Sequence, residues 1–299
     1  QITSNSIKQS GLPTQFKKAI SEYIWNGFDA HATEIAINFD YNDINSILSF
    51  SIADNGHGVN FSNLDKTFGY FLDSNKNKSF DQNRFLKGKK GKGRFSFQQF
   101  CTKTDWNTTY YDVQSKKHLS YKIEIHSSSL NDYKTSDSKV SPESNTGTTV
   151  NFYNFTSITA DLLYSIDFNE YLCNEFGWFL FLNKEKDYSL KINGVKIDFF
   201  SVINKHIEKQ ITIGDEIFDV SFILWNNNIN EKYYYYFLNS ELVETGRKHT
   251  KFNNKTPDFH HSVYIASKFF LNFHFTKENQ PTLGFEENQS NPVFKILLK

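Results

Sequence analysis

Glu22 and Asn26 stand four residues apart in the segment Glu22-Tyr-Ile-Trp-Asn26-Gly-Phe-Asp29-Ala30. On a helix this spacing sets a carboxylate and an amide on one face. An amide oxygen is a hard ligand of the kind Mg2+ accepts beside phosphates and waters. A carboxylate one turn away can polarise a water toward a γ-phosphate. Further along, Asp54-Asn55-Gly56-His57-Gly58 follows an apolar run. Asp54 there can accept from the exocyclic amine of adenine, while Gly56 and Gly58 let the backbone pass close to the ring. The third segment is Gly88-Lys-Lys-Gly91-Lys92-Gly93-Arg94. Its glycines free backbone N–H groups to curve around phosphate oxygens, with Lys87, Lys89, Lys90, Lys92 and Arg94 adding positive charge. It is not a Walker loop, because no Gly-Lys-Ser/Thr closes a four-residue spacer.

Each segment has a plainer reading. Glu22 and Asn26 could belong to the exposed face of an amphipathic helix. Asp-Asn before Gly is a common turn signal, and a Gly/Lys run could be a flexible basic loop or a nucleic-acid patch. Order and spacing raise the set above its parts. A water activator, a metal ligand, a base reader and a phosphate cradle follow one another within the first third of the chain. ATP and Mg2+ are the expected ligands.

The elements that must hold these groups are legible in outline. Phe16, Ala19, Ile20, Tyr23, Ile24 and Phe28 recur at helical intervals, with Pro13 near the start, so a helix is expected over 13–32. Glu34–Asn38 and Ile47–Ala53 read as strands, the second ending at Asp54. Residues 55–94 read as loop, Phe95–Cys101 as the start of a helix, Tyr121–His126 as a strand and Ser127–Ser144 as a polar excursion. Gly147–Phe152 is another strand signal. A helix is expected over Leu162–Leu182, then a strand pair about the Asn193-Gly194 turn. Ile211–Trp225, Lys232–Val243 and Ser262–Phe275 read as strand-rich. A domain boundary is expected between residues 156 and 157, giving domains 1–156 and 157–299. The adjacent pair His260-His261 does not suit a metal, because neighbours on a strand face opposite sides.

Composition narrows the class. Lys+Arg and Asp+Glu both total 33 in 299 residues, which argues against a non-specific electrostatic grip on DNA. Two cysteines, Cys101 and Cys173, make neither a disulfide framework nor a metal cluster, so a reducing cytoplasm is the expected location. No apolar run approaches a membrane span and the start is not signal-like, so no membrane partner is expected. The 31 Phe and 16 Tyr fit an AT-rich genome better than a stacking role. Met is absent and the chain begins at Gln1, which fits a trimmed sequence or one from which modified methionines are missing. The abrupt end at Ile296-Leu-Leu-Lys299 suggests a C-terminal effector or dimerisation region beyond it.

The three segments together resemble the GHKL superfamily, which includes DNA gyrase B, heat-shock chaperones, histidine kinases and MutL. The Glu/Asn/Asp-Ala helix motif, the DNGxG turn and the GxxGxG lid match as they stand. The resemblance implies an α+β fold, a Bergerat-type ATP-binding sandwich, followed by a smaller α/β transducer-like domain. It implies Glu22 as general base, Asn26 as Mg2+ ligand, Asp54 as adenine reader and the lid through Gly91, Lys92 and Gly93 on the phosphates, with Asp29 part of the helix motif. Gly147-Thr148-Thr149-Val150 resembles the family's late Gly-Thr strand, which gives Thr148 an adenine-side role. Tyr236-Phe-Leu-Asn239 and Leu271-Asn272-Phe-His274-Phe-Thr276-Lys277 resemble the second domain of MutL, an architecture shared with MORC-type ATPases. Ser240 stands where that family has Gly, Glu241 where it has Arg and Phe275 where it has Pro. On this resemblance Lys277 reaches the γ-phosphate. The implied activity is slow ATP hydrolysis that drives a conformational or dimerisation switch, with a protein partner or an ATP-dependent homodimer. Two rivals differ in class: a nucleotide sensor without turnover, and a nucleic-acid-binding structural protein that uses the Lys-rich segment.

Overall fold

The structure, a computed structural model, describes residues 15–64, 93–130, 132–229, 232–254, 258–273, 275 and 289–299. The first described helix, α1, is Phe16–Asp29. Its apolar row of Ala19, Ile20, Tyr23, Ile24 and Phe28 is buried, each large side chain gaining roughly 1.5–3 kcal/mol by leaving water. The helix ends at Ala30, where His31 takes φ 61° and the Ala32 N–H bonds back to the Gly27 carbonyl at 3.0 Å. That is the left-handed stop at which Gly is more usual.

Two strands follow, β1 (Glu34–Tyr41) and β2 (Ile47–Asp54). After the turn Gly93–Gln99 come β3 (Cys101–Asp112), β4 (Lys117–His126), the short β5 (Lys134–Thr135) and β6 (Lys139–Val140), and β7 (Gly147–Phe155). Helices α2 (Ala160–Tyr164) and α3 (Ile166–Leu182) lead to β8 (Ser189–Ile192) and β9 (Val195–Lys196). These strands make one nine-stranded sheet, in the order β5-β4-β3-β7-β2-β1-β8-β9 with β6 also on β4. All its pairings are antiparallel except β1 with β8. On the α1 side Phe50, Phe100, Phe152 and Tyr23 form the core, with the Phe50 and Phe152 ring centroids 4.9 Å apart.

A second sheet has the order β10-β11-β14-β12-β13, from Ile203–Ile213, Glu216–Trp225, Tyr234–Leu238 (β12), Glu244–His249 (β13) and His260–Ala266 (β14). One of its faces holds Phe218, Phe237, Val263 and Ile265 under Phe269, Phe270, Phe273 and Phe294. On the other, Tyr264 stacks between Trp178 at 5.2 Å and Tyr236 at 5.0 Å. The last helix is α4 (Pro292–Leu297), capped by the Asn291 side chain on the Val293 N–H. No described helix is long and apolar enough to cross a membrane.

Several elements differ from the sequence expectation. Phe95–Cys101 does not open an α-helix. It is a 3₁₀ turn held by tertiary bonds, with the Phe97 N–H donating to Tyr23 Oη and Ser96 Oγ near Ala19 O. The twelve-residue β3 that follows was not expected, nor was β13. The single helix over Leu162–Leu182 is two, because Ser165 is extended and its Oγ caps α3 by accepting from the Phe168 N–H at 3.1 Å. The apolar stretch Ser262–Phe275 is a strand only to Ala266, after which Lys268–Phe270 turns. His261 is buried and stacks on Tyr233 at 4.5 Å. No cluster of three or more metal-ligating side chains occurs among the described residues.

Compact units are drawn along other lines than the 156/157 boundary. Among the described residues, the first holds 15–64, 93–175 and 183–198, while Phe176–Leu182 and those from Phe199 onward group in the second. The physical reason is β8, which adds to the first sheet beside β1 through the register Ile35↔Leu190.

Candidate functional site

α1 presents Glu22 and Asn26 on one row. Glu22 is half-buried, Asn26 exposed, and Asp29 half-buried in the last helical position. Two glycines bring this helix against the rest of the site. A β-carbon at Gly27 would lie 3.0 Å from Asp54 Cβ, so α1 rests directly on the end of β2. A β-carbon at Gly93 would lie 2.7 Å from Glu22 Oε2, so the end of the Gly/Lys segment passes over the Glu22 carboxylate. A larger residue at Gly27 would press on Asp54 Cβ, whereas one at Gly93 would force the Glu22 carboxylate to swing aside.

Asp54 closes β2, opposite Thr148 in the register with β7. Its Oδ1 accepts from the Gly56 N–H at 2.9 Å, the local bond that lets Asp open a tight turn. Burial raises the Asp54 carboxyl above its ordinary value, against the lowering by the Gly56 and Thr148 N–H groups and by His57. The turn is pinned at both sides. Asn55 Oδ1 accepts from the N–H groups of Thr33 and Glu34, both at 2.9 Å, and the His57 N–H donates to the Ala30 carbonyl at 3.0 Å. Gly58 takes φ 71°, and the Val59 N–H then donates to Thr108 Oγ1 at 2.8 Å.

Thr108 and Thr148 are cross-strand partners, their hydroxyl oxygens 3.0 Å apart. A cavity of about 850 Å3 borders Asp54, Thr108 and Thr148 at the strand ends and runs past Asn107, Lys122 and Thr149 toward Ser136 and Lys139, on the face of the sheet away from α1. That volume falls within the roughly 300–1,000 Å3 typical of small-molecule sites.

Arg94 is buried. Its carbonyl accepts from Tyr23 Oη at 3.0 Å, its guanidinium lies 4.6 Å from the Phe95 ring centre, and burial pushes its pKa down to about 10. Tyr23 thus ties α1 to Arg94, at the end of the Gly/Lys segment, from inside the core.

The structure therefore sets Gly93, Asp54 and Gly56 against α1 and its end, with Thr148 opposite Asp54 and Gly58 against Thr109 of β3. Gly88, Gly91, Lys92 and Lys277 lie outside the described residues. Gly27, Tyr23 and Thr108 were missed by sequence reasoning. Gly27 sits inside the helix motif, where Gly is costly and so worth explaining; Tyr23 and Thr108 give no local signal. Asn239, compared above with a second-domain motif, is buried. Its Oδ1 accepts from the N–H groups of Glu241 and Val243 at 2.9 and 3.0 Å, which shapes the turn from β12 to β13.

Residues 14–148 match the family model described as histidine kinase-, DNA gyrase B- and HSP90-like ATPase. No curated protein sequence is significantly similar to the chain. Among solved structures, the ATPase region of Saccharomyces cerevisiae topoisomerase II aligns with TM-score 0.44 and 13% identity, covering 84% of this chain and 72% of that one. The 43K ATPase domain of Thermus thermophilus gyrase B, in complex with an aminocoumarin, aligns with TM-score 0.43 and 13% identity, covering 95% and 83%. The Aquifex aeolicus MutL ATPase domain gives 0.42 and 11%, covering 85% and 89%.

Proposed function

With residues 14–148 belonging to the GHKL superfamily of ATPases, we propose that the protein binds ATP with Mg2+ and hydrolyses it slowly to drive a conformational switch. The observation that carries this reading is the double seat of α1, with Gly27 on Asp54 and Gly93 on the Glu22 carboxylate. One helix thereby holds the base-reading end and the hydrolytic end of the site at a fixed separation.

Asp54 reads the adenine amine, with Thr108 and Thr148 beside it. Glu22 orients and deprotonates the attacking water, and the half-buried setting keeps competing solvent low around it. Asn26, exposed one turn on, offers its amide oxygen to Mg2+, which would neutralise phosphate charge when bound. The residue set fits that ion, since it needs only one protein oxygen beside phosphates and waters. Lys277 is assigned to the charge that develops on the transferred phosphoryl group, and Lys277→Ala should lower turnover more than affinity. Residues 157–299 serve as the transducer of the switch, with a protein partner or a second copy as its output.

The test is Glu22→Ala. ATP affinity by calorimetry should stay near that of the unmodified protein while turnover falls by roughly 10²–10⁴-fold, the worth of a positioned general base. Asn26→Ala should instead weaken Mg2+-dependent nucleotide binding. Unchanged turnover in Glu22→Ala would remove the hydrolytic role and leave a nucleotide sensor.

A further inference from the structure

α1 and α3 lie side by side in step. Lys17, Ser21 and Trp25 form one row of α1, four residues apart. Each meets the residue 150 positions later: Lys17 Nζ pairs with the Asp167 carboxylate, Ser21 Oγ lies 3.2 Å from Tyr171 Oη, and Trp25 Nε1 donates to Glu175 Oε1 at 2.8 Å. Phe16 and Phe168 add an aromatic contact at 5.9 Å. A constant offset over two helical turns means parallel helices locked in one register.

Glu22 and Asn26 occupy the next row, one residue on and about 100° round the helix. A helix seated on a sheet by apolar side chains can still roll about its own axis at small cost. Three polar rungs along one side oppose that roll, because each has a direction as well as a distance. The rungs are not equal. Lys17–Asp167 is exposed on the Asp167 side and contributes least. Trp25 is buried and donates to a carboxylate, the stronger class of bond. Burial, with the Glu175 and Glu22 carboxylates nearby, pushes the Tyr171 phenol up to about 12, so that rung stays a neutral hydroxyl pair.

We infer that Tyr171 and Glu175 of α3 are positioning residues for ATP hydrolysis, fixing the rotation of α1 so that Glu22 and Asn26 face the phosphates. The inference rests on the function proposed above. It adds a second helix, distant in sequence, to the apparatus. A misplacement of about 1 Å at a catalytic group can cost up to 10²-fold in rate, so loss of one rung should be visible in kcat.

The experiment compares Glu175→Ala, Glu175→Gln and Tyr171→Phe in the full chain, with thermal melts as a folding control. Glu175→Ala should lower kcat about tenfold with KM changed less than about twofold. Glu175→Gln, whose Oε1 still accepts from Trp25, should restore most of the rate. Tyr171→Phe, which removes a single hydroxyl, should give a smaller loss in the same direction and stands in if Glu175→Ala does not fold. In single turnover, Glu175→Ala added to Glu22→Gln should cost clearly less than it does alone, because much of the rung's effect runs through Glu22. Unchanged kcat in both Glu175→Ala and Tyr171→Phe would overturn the inference while leaving the ATPase reading intact. An equal loss in the Glu22→Gln background would overturn it too. Absence of turnover in the unmodified protein would overturn the site reading and this inference with it.

Discussion

In the nine-stranded sheet, β3, β4 and β7 carry Lys103, Asp105, Lys122, Glu124, Asn151 and Tyr153 on the face away from α1. In the five-stranded sheet both faces are aromatic, one under the Phe237–Phe270–Phe294 cluster and the other stacked through Trp178, Tyr264 and Tyr236. Asp105 shows how the first sheet tolerates polarity. It is 1% exposed, yet it accepts from Asn107, Asn151 and Tyr153 at 3.1, 2.8 and 2.8 Å and pairs with Lys122 at 2.8 Å. A buried carboxylate is tolerable only when so surrounded. The first sheet thus uses its inner face for packing and its strand ends for the hydrogen-bonded turn that carries Asp54. The second gives almost everything to packing. Changes at the first sheet's turns should therefore alter ligand binding with little loss of stability, and changes in the second should do the reverse.

Asp54→Asn should give the largest effect, with loss of adenine-nucleotide binding by calorimetry, since an amide can present a donor where an acceptor is required. The same change should raise the Tm of the ligand-free protein at neutral pH. Burial raises the Asp54 pKa from 3.8, so its stabilising contribution is complete below that value and is lost as pH rises through the raised one. The amide variant lacks that loss, so the gap in Tm should close as pH falls. Retained binding, or a lower Tm, would break the contrast between the two sheets at its functional end.

Phe237→Ala tests the other end. Phe237 is fully buried and faces Phe270, Phe275 and Phe294 at 5.2, 5.0 and 5.1 Å. Its truncation should cost about 3–5 kcal/mol in denaturant unfolding, with ATP affinity of the folded protein unchanged. A matching fall in affinity would show that the packed sheet also shapes the site.

Asp105→Asn should cost less, about 1–3 kcal/mol, because it leaves Lys122 and Tyr153 with a weaker acceptor. Unaltered nucleotide affinity would mark the polar face as architecture, and a large loss of affinity would draw it into the site. Arg247→Ala should have the smallest effect, at most about 1 kcal/mol. Arg247 reaches both Glu244 oxygens at 2.6 and 3.0 Å and lies over the Tyr234 and Tyr236 rings, but its side chain is half-exposed.

Much of the site was legible locally because its signals are local. The Glu22/Asn26 row needs only helical spacing, and α1 shows that spacing in six apolar residues. Asp54 needs only a strand followed by Asn-Gly. The α+β class came with the resemblance to the GHKL superfamily that these local motifs carry. By contrast β3 escaped notice because Thr104, Asp105 and Thr108 are polar on both of its faces, so no alternation marks it. Their burial is satisfied by neighbours on β4 and β7, which no window along the chain contains.

The sequence by itself determined which groups could do the chemistry and on which helix face or turn each would stand, since those choices depend on residues a few positions apart. The tertiary structure decided what they meet. Gly27 against Asp54, Gly93 against Glu22, and the α1–α3 rungs at an offset of 150 residues join segments with no local relation. So does the parallel pairing of β8 with β1. Such contacts are set by how the core closes, because only close packing of helix on sheet chooses among the many partners that each surface could accept.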